Sequence, residues 1–472
     1  MSQTDTNIKI SKITEHSNLL VNNAGDYIFM NNDNLDNFIK NKLSESEINW
    51  LEHAGIFIKE EGNFFSTSRD FKSSLRLHTR KKLNYLIIIP TLRCNLTCSY
   101  CQVSRADEKA SGYDWDEDIT RSFIKYVEKY ASDDVKIEFQ GGEPSLRLDL
   151  VLKIVNEIKI IKPNATFVIC SNLSIMSSEF IELLDRDDFF VSSSLDGPPD
   201  IHESNRTQNT QNTDTFFNNL EFILLKYGTN KISLLPTISD YSRIIETIDF
   251  FYDKKLPEIF LRPVNYQGFA RKKFNDISQD AQNWNETYNK ALEYIAKRNS
   301  TNNHQIVETG LLIHLDRIFK QRSNNYVDLR NPNLLGQDYL VIDFDGKFYP
   351  SDEARMLSRI RLIDLSIGSL NDGIDERKIN QLNTKSSNIE DPCCNECSYQ
   401  PFCGVDIIDN ISRYGTTDIK TLDTHFCNIN MNVFDFIFKN LSNRNEYFIN
   451  LATLCLSKQS TSPSIFGGHH FD

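Results

Sequence analysis

Two groups of cysteines constrain this chain more than any other feature. Cys94, Cys98 and Cys101 follow the apolar run NYLIIIP (84–90) in the order CxxxCxxC, and Cys393, Cys394, Cys397, Cys403 and Cys427 fall near the C-terminus. Cys170 and Cys455 stand apart and read as packed thiols. In a small secreted protein, clustered cysteines would suggest disulfides. In 472 residues whose opening, MSQTDTNIKISKITEH, has no apolar signal core, they point to metal. No charge-free apolar run approaches the length of a membrane span, so the expected location is the cytoplasm. The net charge of −13 argues against a general nucleic-acid binder, which needs a basic surface, and leaves a small molecule or a peptide as substrate.

Three thiolates on one short loop can ligate three irons of a [4Fe–4S] cluster and leave the fourth iron open to a substrate. A structural zinc site would want a fourth Cys or His nearby, and none occurs within twenty residues after Cys101.

The rest of the chain divides by pattern. Residues 1–80 form a small module. NLLVNNAGDYIFMNNDNL reads as a hairpin, DNFIKNKL and SESEINWLEHAG as short helices, and IFIKEEGNFF as a closing hairpin. Ser44 with Glu47 has capping-box spacing, and Gly55 is a helix stop. Strands with small helices fit a winged-helix-like module, and the basic SSLRLHTRKK reads as a link. Across 81–275, six runs rich in Ile, Val and Phe (84–90, 135–140, 166–171, 189–195, 232–238 and 258–264) alternate with helical spacing such as DLVLKIVNEIKII. This predicts an α/β core, a parallel sheet curled as a partial (β/α)6 barrel of TIM type. RTQNTQNTDT (206–215) reads as a loop. Residues 276–340 are expected to be a helical connection, 341–440 a cysteine-rich domain and 441–472 a terminal helix and tail. YLVIDFDGKFYPSDE reads as a hairpin turning on Asp345-Gly346, and the tail, with His469 and His470, as solvated and disordered.

CxxxCxxC after the first barrel strand resembles the signature of the radical S-adenosylmethionine (SAM) superfamily. The resemblance implies that the open iron binds the amine and carboxylate of SAM. One electron then splits SAM into methionine and a 5′-deoxyadenosyl radical, which takes a hydrogen atom from the substrate. Barrel active sites lie at the C-terminal ends of strands, and reading only those ends gives a consistent set. After the second strand, Gly141 and Gly142 let backbone approach a ligand closely, and Glu143 can accept from an ammonium group, as in the family's GGEP motif. Ser171 and Asn172 match polar positions near the SAM ribose. Ser194 and Arg206 match residues that hold the SAM carboxylate, and Tyr100 matches an aromatic that flanks the adenine. Taken singly, GGEP could be a turn, Asn172 a cap and Arg206 a surface charge.

In the second set, Cys394, Cys397 and Cys403 give CxxCx5C and Cys427 supplies a fourth thiolate, a closed site that suits iron–sulfur and zinc equally. The segment resembles a SPASM domain, which carries two auxiliary clusters when complete. Here Ser351 and Ile407 stand where two cysteines of the first auxiliary cluster are expected, which leaves one auxiliary [4Fe–4S] cluster on Cys394, Cys397, Cys403 and Cys427, with Cys393 able to substitute. By the same resemblance, Asp352 would take the proton lost when a substrate radical is oxidised, and Gln140 would contact substrate. Between about residues 10 and 440, PTLRCNLTCSYCQVSRA, EFQGGEPSL, SLDGPPDIHESNR, FLRPVNYQGFA, YVDLRNP, FYPSDEARML and CSYQPFCG together resemble the His-Xaa-Ser system radical SAM maturases (HxsB). That implies a small precursor peptide or protein with His-Xaa-Ser repeats, a second radical SAM protein of the same system and an electron donor such as flavodoxin or ferredoxin. It also implies that the N-terminal module recognises peptide.

Overall fold

The computed structural model describes residues 8–57, 64–77, 82–268, 270–273, 277–320 and 326–458. Strands β1 (Lys9–Lys12), β2 (Ser17–Val21) and β3 (Tyr27–Asn31) form an antiparallel meander. Successive residues of β2 face opposite sides. Leu19 and Val21 join the main core, while Leu20 packs with Ile28, Met30, Leu51 and Ile56 under helices α1 (Asn32–Ile39) and α2 (Glu45–His53). Ser44 and Glu47 make the reciprocal capping box of α2, and Gly55 follows it at φ +75°. Residues 58–63 of the expected closing hairpin lie outside the described residues, and Phe64 opens helix α3 (Phe64–Arg76). The expected basic link is therefore helical as far as Arg76.

Five parallel strands, β4 (Leu83–Thr91), β5 (Ala131–Gly141), β6 (Thr166–Cys170), β7 (Phe189–Ser194) and β8 (Ile232–Leu235), lie side by side in chain order. Pro236 interrupts the fifth run. Its remainder, β9 (Thr237–Ile238), pairs in parallel with β10 (Arg262–Pro263), which extends the curl to a sixth strand. Helices α4 (Glu117–Tyr130), α5 (Leu148–Ile161), α6 (Ser178–Leu184), α7 (Thr210–Tyr227) and α8 (Ile244–Asp253) form the connections. Their apolar faces, among them Phe123, Val127, Val151, Ile154 and Phe180, bury against Leu86, Ile88, Ile137, Phe139, Phe167 and Ile169. The alternate residues of each strand therefore face the inside of the curl. The partial barrel expected from the sequence is the observed fold.

A sequence-based loop over 206–215 is corrected by α7. Asn209 caps it by accepting from the amide of Asn212 at 2.8 Å, and its buried stripe of Thr213, Phe216, Leu220 and Ile223 starts only after a polar first turn. Downstream lie α9 (Ile277–Thr301) and α10 (Thr309–Phe319). Strand β11 (Tyr339–Ile342) then pairs in parallel with β4 on its free side, and β12 (Lys347–Tyr349), β13 (Gly368–Ser369) and β14 (Gly373–Ile374) continue the sheet antiparallel. Helices α11 (Asp352–Arg359), α12 (Ile407–Tyr414), α13 (His425–Ser442) and α14 (Glu446–Lys458) complete the chain. The tail histidines lie outside the described residues. Among those described, no helix is long and apolar enough to cross a membrane.

Candidate active site

The three-cysteine loop leaves the C-terminal end of β4 and is pinned at its start. Thr91 donates its hydroxyl to Asp114 at 2.6 Å, and Arg93 donates Nε to the same carboxylate at 2.9 Å. Arg93 and Cys94 also pair with Ala106 and Asp107, which closes the loop on itself. Within it the Leu96 amide donates to Cys94 Sγ at 3.5 Å, and the Cys101 amide to the Cys98 carbonyl at 3.2 Å. All three thiols are half-buried. Burial pushes the Cys94 thiol up to about 12, with Glu143, Cys98 and Cys101 adding to the rise. Burial raises Cys98 too, partly offset by the nearby Arg206.

The glycine-rich end of β5 sits directly on this loop. A Cβ on Gly141 would lie 2.2 Å from the Thr91 carbonyl oxygen, and one on Gly142 would lie 2.2 Å from that of Arg93. The close approach that both glycines permit is thus to the backbone that carries Cys94, locked by Gly142 N–H to Thr91 O (3.0 Å) and Glu143 N–H to Arg93 O (2.8 Å). The carboxylate of Glu143 is buried and accepts from Ser171 Oγ at 2.9 Å, the Asn172 amide at 2.7 Å and the Ser145 amide at 3.1 Å. Burial wins over these donors and raises its pKa. Asn172 in turn donates to Asn95 at 2.9 Å, and Asn95 to Ser174 at 2.7 Å, which ties the end of β6 to the cysteine loop.

After β7 the organising residue is one that the motif reading passed over. Asp196 is fully buried and accepts from Tyr100 Oη, from Arg206 Nε and Asn205 Nδ2 at 3.1 Å each, and from the Thr237 amide at 3.1 Å. The Arg206 guanidinium also lies over the Tyr100 ring, 5.1 Å from its centre. Burial would lower the Arg206 pKa, but Asp196, Tyr100 and Cys98 raise it. Ser194 is half-buried at the end of β7, opposite Leu235. A cavity of about 160 Å³ lined by Asp196, Asn205, Thr237, Ser239 and Arg243 adjoins the group. Asp196 could have been found by the strand-end rule that picked out Ser194, because it stands two residues further on.

Inside the curl the polar residues of β5 converge. Glu138 accepts from Tyr85 Oη at 2.7 Å, Gln140 Nε2 at 2.6 Å and Cys170 Sγ at 3.2 Å, and Lys136 lies 3.2 Å from it. Gln140 is therefore engaged with Glu138. Cys170, read from sequence as a packed thiol, is bonded in this polar group, whereas Cys455 is buried in the main core. Asp352 opens α11 and accepts from Arg355 Nε at 2.8 Å. Arg355 is fully buried, and its Nη1 lies 3.7 Å from Asp343. Next to Asp352, burial first and then Asp352 and Asp328 push the Glu353 carboxyl up to about 7, and Asp406 is pushed up to about 7 by burial, Asp409 and Glu353.

Residues 88–268 match the family described as Radical SAM superfamily. This is a radical SAM domain. The chain is 29% identical over 176 residues to an uncharacterised protein of Methanothermobacter thermautotrophicus, covering 36% of this chain and 63% of that one. It is 27% identical over 237 residues to the cysteine-type anaerobic sulfatase-maturating enzyme of Clostridium perfringens, covering 43% and 62%. The chain spans less than two thirds of the curated relatives it matches first. The solved structure of native anSMEcpe with bound AdoMet and Cp18Cys peptide shares the fold, with a TM-score of 0.59 at 17% identity over 78% of this chain and 98% of that chain.

Beyond the radical SAM domain the cysteines of the second set lie in one another's electrostatic reach, although among the described residues no three or more His, Cys, Asp or Glu side chains form a group that could hold a single metal ion. Cys394 has Cys403, Cys427 and Cys397 in its electrostatic surroundings, and Cys403 has Cys427 and Cys397. Cys393 is in the electrostatic surroundings of Cys427. Asp391 caps the first turn by accepting from the amides of Cys393 (2.9 Å) and Cys394 (3.0 Å), and Thr424 accepts from that of Cys427 at 3.1 Å. Thr424 starts α13 at His425, so Cys427 lies in its first turn, ahead of the apolar repeat from Met431 that marks the helix in the sequence. Ser351 caps α11 through the Ala354 amide at 3.1 Å. Ile407 is buried among Leu335, Ala354, Leu357, Leu365 and Ile411. Helix cap and apolar packing occupy the two positions where the resemblance expects further thiols.

Proposed function

We propose that this chain is a peptide-modifying radical SAM enzyme. In this reading it cleaves SAM to methionine and a 5′-deoxyadenosyl radical and uses that radical on a ribosomally made peptide or small protein of a His-Xaa-Ser system. The observation that carries the reading is the convergence, at one end of the radical SAM sheet, of three thiols, the Glu143 turn and the Tyr100–Asp196–Arg206 group. Cys94, Cys98 and Cys101 suit a [4Fe–4S] cluster by their number, spacing and donor chemistry: three thiols of one loop lie in electrostatic reach of one another, with buried Glu143 beside Cys94 and Arg206 beside Cys98. When bound, that cluster supplies the electron for SAM cleavage. Gly141, Gly142 and Glu143 shape the place of the methionyl amine, Ser171 and Asn172 that of the ribose, and Ser194 and Arg206 that of the carboxylate. Tyr100 flanks the adenine. Cys394, Cys397, Cys403 and Cys427 hold one auxiliary [4Fe–4S] cluster.

Gln140 meets substrate from inside the curl, and Asp352 takes the proton released on radical oxidation. A peptide substrate is supported by the fold shared with a protein solved with AdoMet and a peptide. An edge of the N-terminal sheet offers a place for a leader peptide to add as a strand. The partners are a second radical SAM protein and an electron donor such as flavodoxin or ferredoxin, in the cytoplasm.

The test is 5′-deoxyadenosine formation from SAM by anaerobically purified protein with dithionite, with iron counted on the same sample. The expected result is product and about eight irons per chain, as two four-iron clusters require. Cys94, Cys98 and Cys101→Ala together should abolish product and leave about four irons. Zinc in place of iron and no product would leave a structural protein. Failure to bind the His-Xaa-Ser peptide would favour a small-molecule substrate.

A further inference from the structure

The loop between Cys397 and Cys403 is covered by a part of the chain almost four hundred residues away in sequence, namely β1. Lys9 Nζ donates to Gln400 Oε1 at 2.7 Å, and the hydroxyls of Ser11 and Ser398 are 2.5 Å apart. Because strand residues alternate, Lys9 and Ser11 face the loop while Ile10 and Lys12 face outward. Lys9 is in Coulombic reach of Cys397 and Cys394. A second cation approaches from α10. Arg317 is 3% exposed, donates Nε to the Phe402 carbonyl at 2.9 Å and has Cys403 in Coulombic reach. Carboxylates face the same group and oppose these cations: Glu396 lies in Coulombic reach of Lys9, Asp435 accepts from Tyr399 and lies in reach of Cys397, and Asp391 accepts from Thr421 at 2.6 Å and from the cysteine amides and lies in reach of Cys394.

We propose that Lys9, delivered by the N-terminal sheet, sets the reduction potential of the group held by Cys394, Cys397, Cys403 and Cys427. This rests on the auxiliary-cluster reading above. Four thiolates around a [4Fe–4S] core of charge +2 sum to −2, and uptake of one electron makes −3. A partly desolvated ammonium nearby stabilises the −3 state more than the −2 state, so it raises the potential. Arg317 does the same from the buried side. The ammonium belongs to the N-terminal module, so docking of that module is coupled to the electron affinity of a centre in the C-terminal region.

The experiment is a redox titration followed by electron paramagnetic resonance on full-length, anaerobically reconstituted protein. It uses the Cys94, Cys98 and Cys101→Ala background, in which only the auxiliary signal remains. Lys9→Met is expected to lower the ratio of reduced to oxidised cluster at the parent midpoint about tenfold, which for a one-electron couple is about 59 mV. Lys9→Arg should restore the parent value, and Ser11→Ala, which removes a docking bond but no charge, should keep it. A Lys9→Met midpoint equal to the parent's, with the signal intact, overturns the proposal alone. Absence of any auxiliary signal in the parent overturns the four-cysteine assignment and the proposal with it.

Discussion

A guanidinium can be buried beside the cysteine loop only if a carboxylate is buried with it. Asp196 meets that need for Arg206 and also binds Tyr100, Asn205 and the start of β9. Asp196→Ala should cost about 3–5 kcal/mol in urea unfolding, the range for stranding one partner of a buried pair, and should weaken SAM binding measured by calorimetry. A second residue-scale prediction concerns Glu353, whose carboxyl is raised from 4.5 to about 7, first by burial and then by Asp352. The native state therefore holds this proton more tightly than the unfolded chain. Its contribution to stability is full below pH 4.5 and is lost as pH rises to about 7. Glu353→Gln cannot ionise, so its stability relative to the parent should grow between pH 5 and 7 and level off above. Urea midpoints across that range check this, and a constant difference would place Glu353 outside the acidic group. The resemblance named Asp352 and passed over Glu353, whose shift comes from burial and Asp352 and then from Asp328 on a distant segment, none of which a motif registers.

At the scale of elements, the strand ends were legible because barrel chemistry collects there: Glu143, Ser171, Asn172 and Ser194 stand at or just past one, while Arg206 lies in the helical turn Glu203–Thr207 further on. The role of the glycines was less legible. Spacing marked a close approach, and the structure shows that what approaches is the chain's own cysteine loop. Gly142→Ala would put a methyl group 2.2 Å from the Arg93 oxygen and 2.4 Å from that of Leu92, both rigid backbone. It should cost about 1–3 kcal/mol as overpacking and should lower iron retention after reconstitution more than it lowers SAM affinity of the loaded enzyme. Helix α7 was missed for a local reason: its first turn is Thr, Gln and Asn, and a 3.6-residue pattern cannot register until the buried face begins. Ser351 and Ile407 were legible as missing thiols, but their present work as cap and core residue was not, since Ile407 meets its neighbours only through folding.

For the whole molecule, the contacts that join its parts had no signature in the sequence. Arg76, in a segment that reads as a polar link, is buried and donates Nε to Ala24 O at 2.6 Å and Nη1 to Arg317 O at 2.6 Å, with its guanidinium 5.2 Å from the centre of the Phe402 ring. One side chain thus touches the N-terminal sheet, α10 and the second cysteine region. Arg76→Ala should cost about 1.5–3 kcal/mol for the charged hydrogen bonds lost, and limited proteolysis should then cut between the N-terminal module and β4 faster than in the parent. The division into six repeats was readable because strands and helices alternate locally. The pairing of β11 with β4 was not, because nothing near residue 339 says which strand it will join. That pairing bears on synthesis. As the chain leaves the ribosome, the strand that leads into the cysteine loop keeps one bare edge until Tyr339–Ile342 emerges, long after its other neighbour, β5, has been made. Until then the nascent protein presents an unpaired apolar strand, open to mispairing with another chain, and the scaffold under the Cys94 loop is completed late.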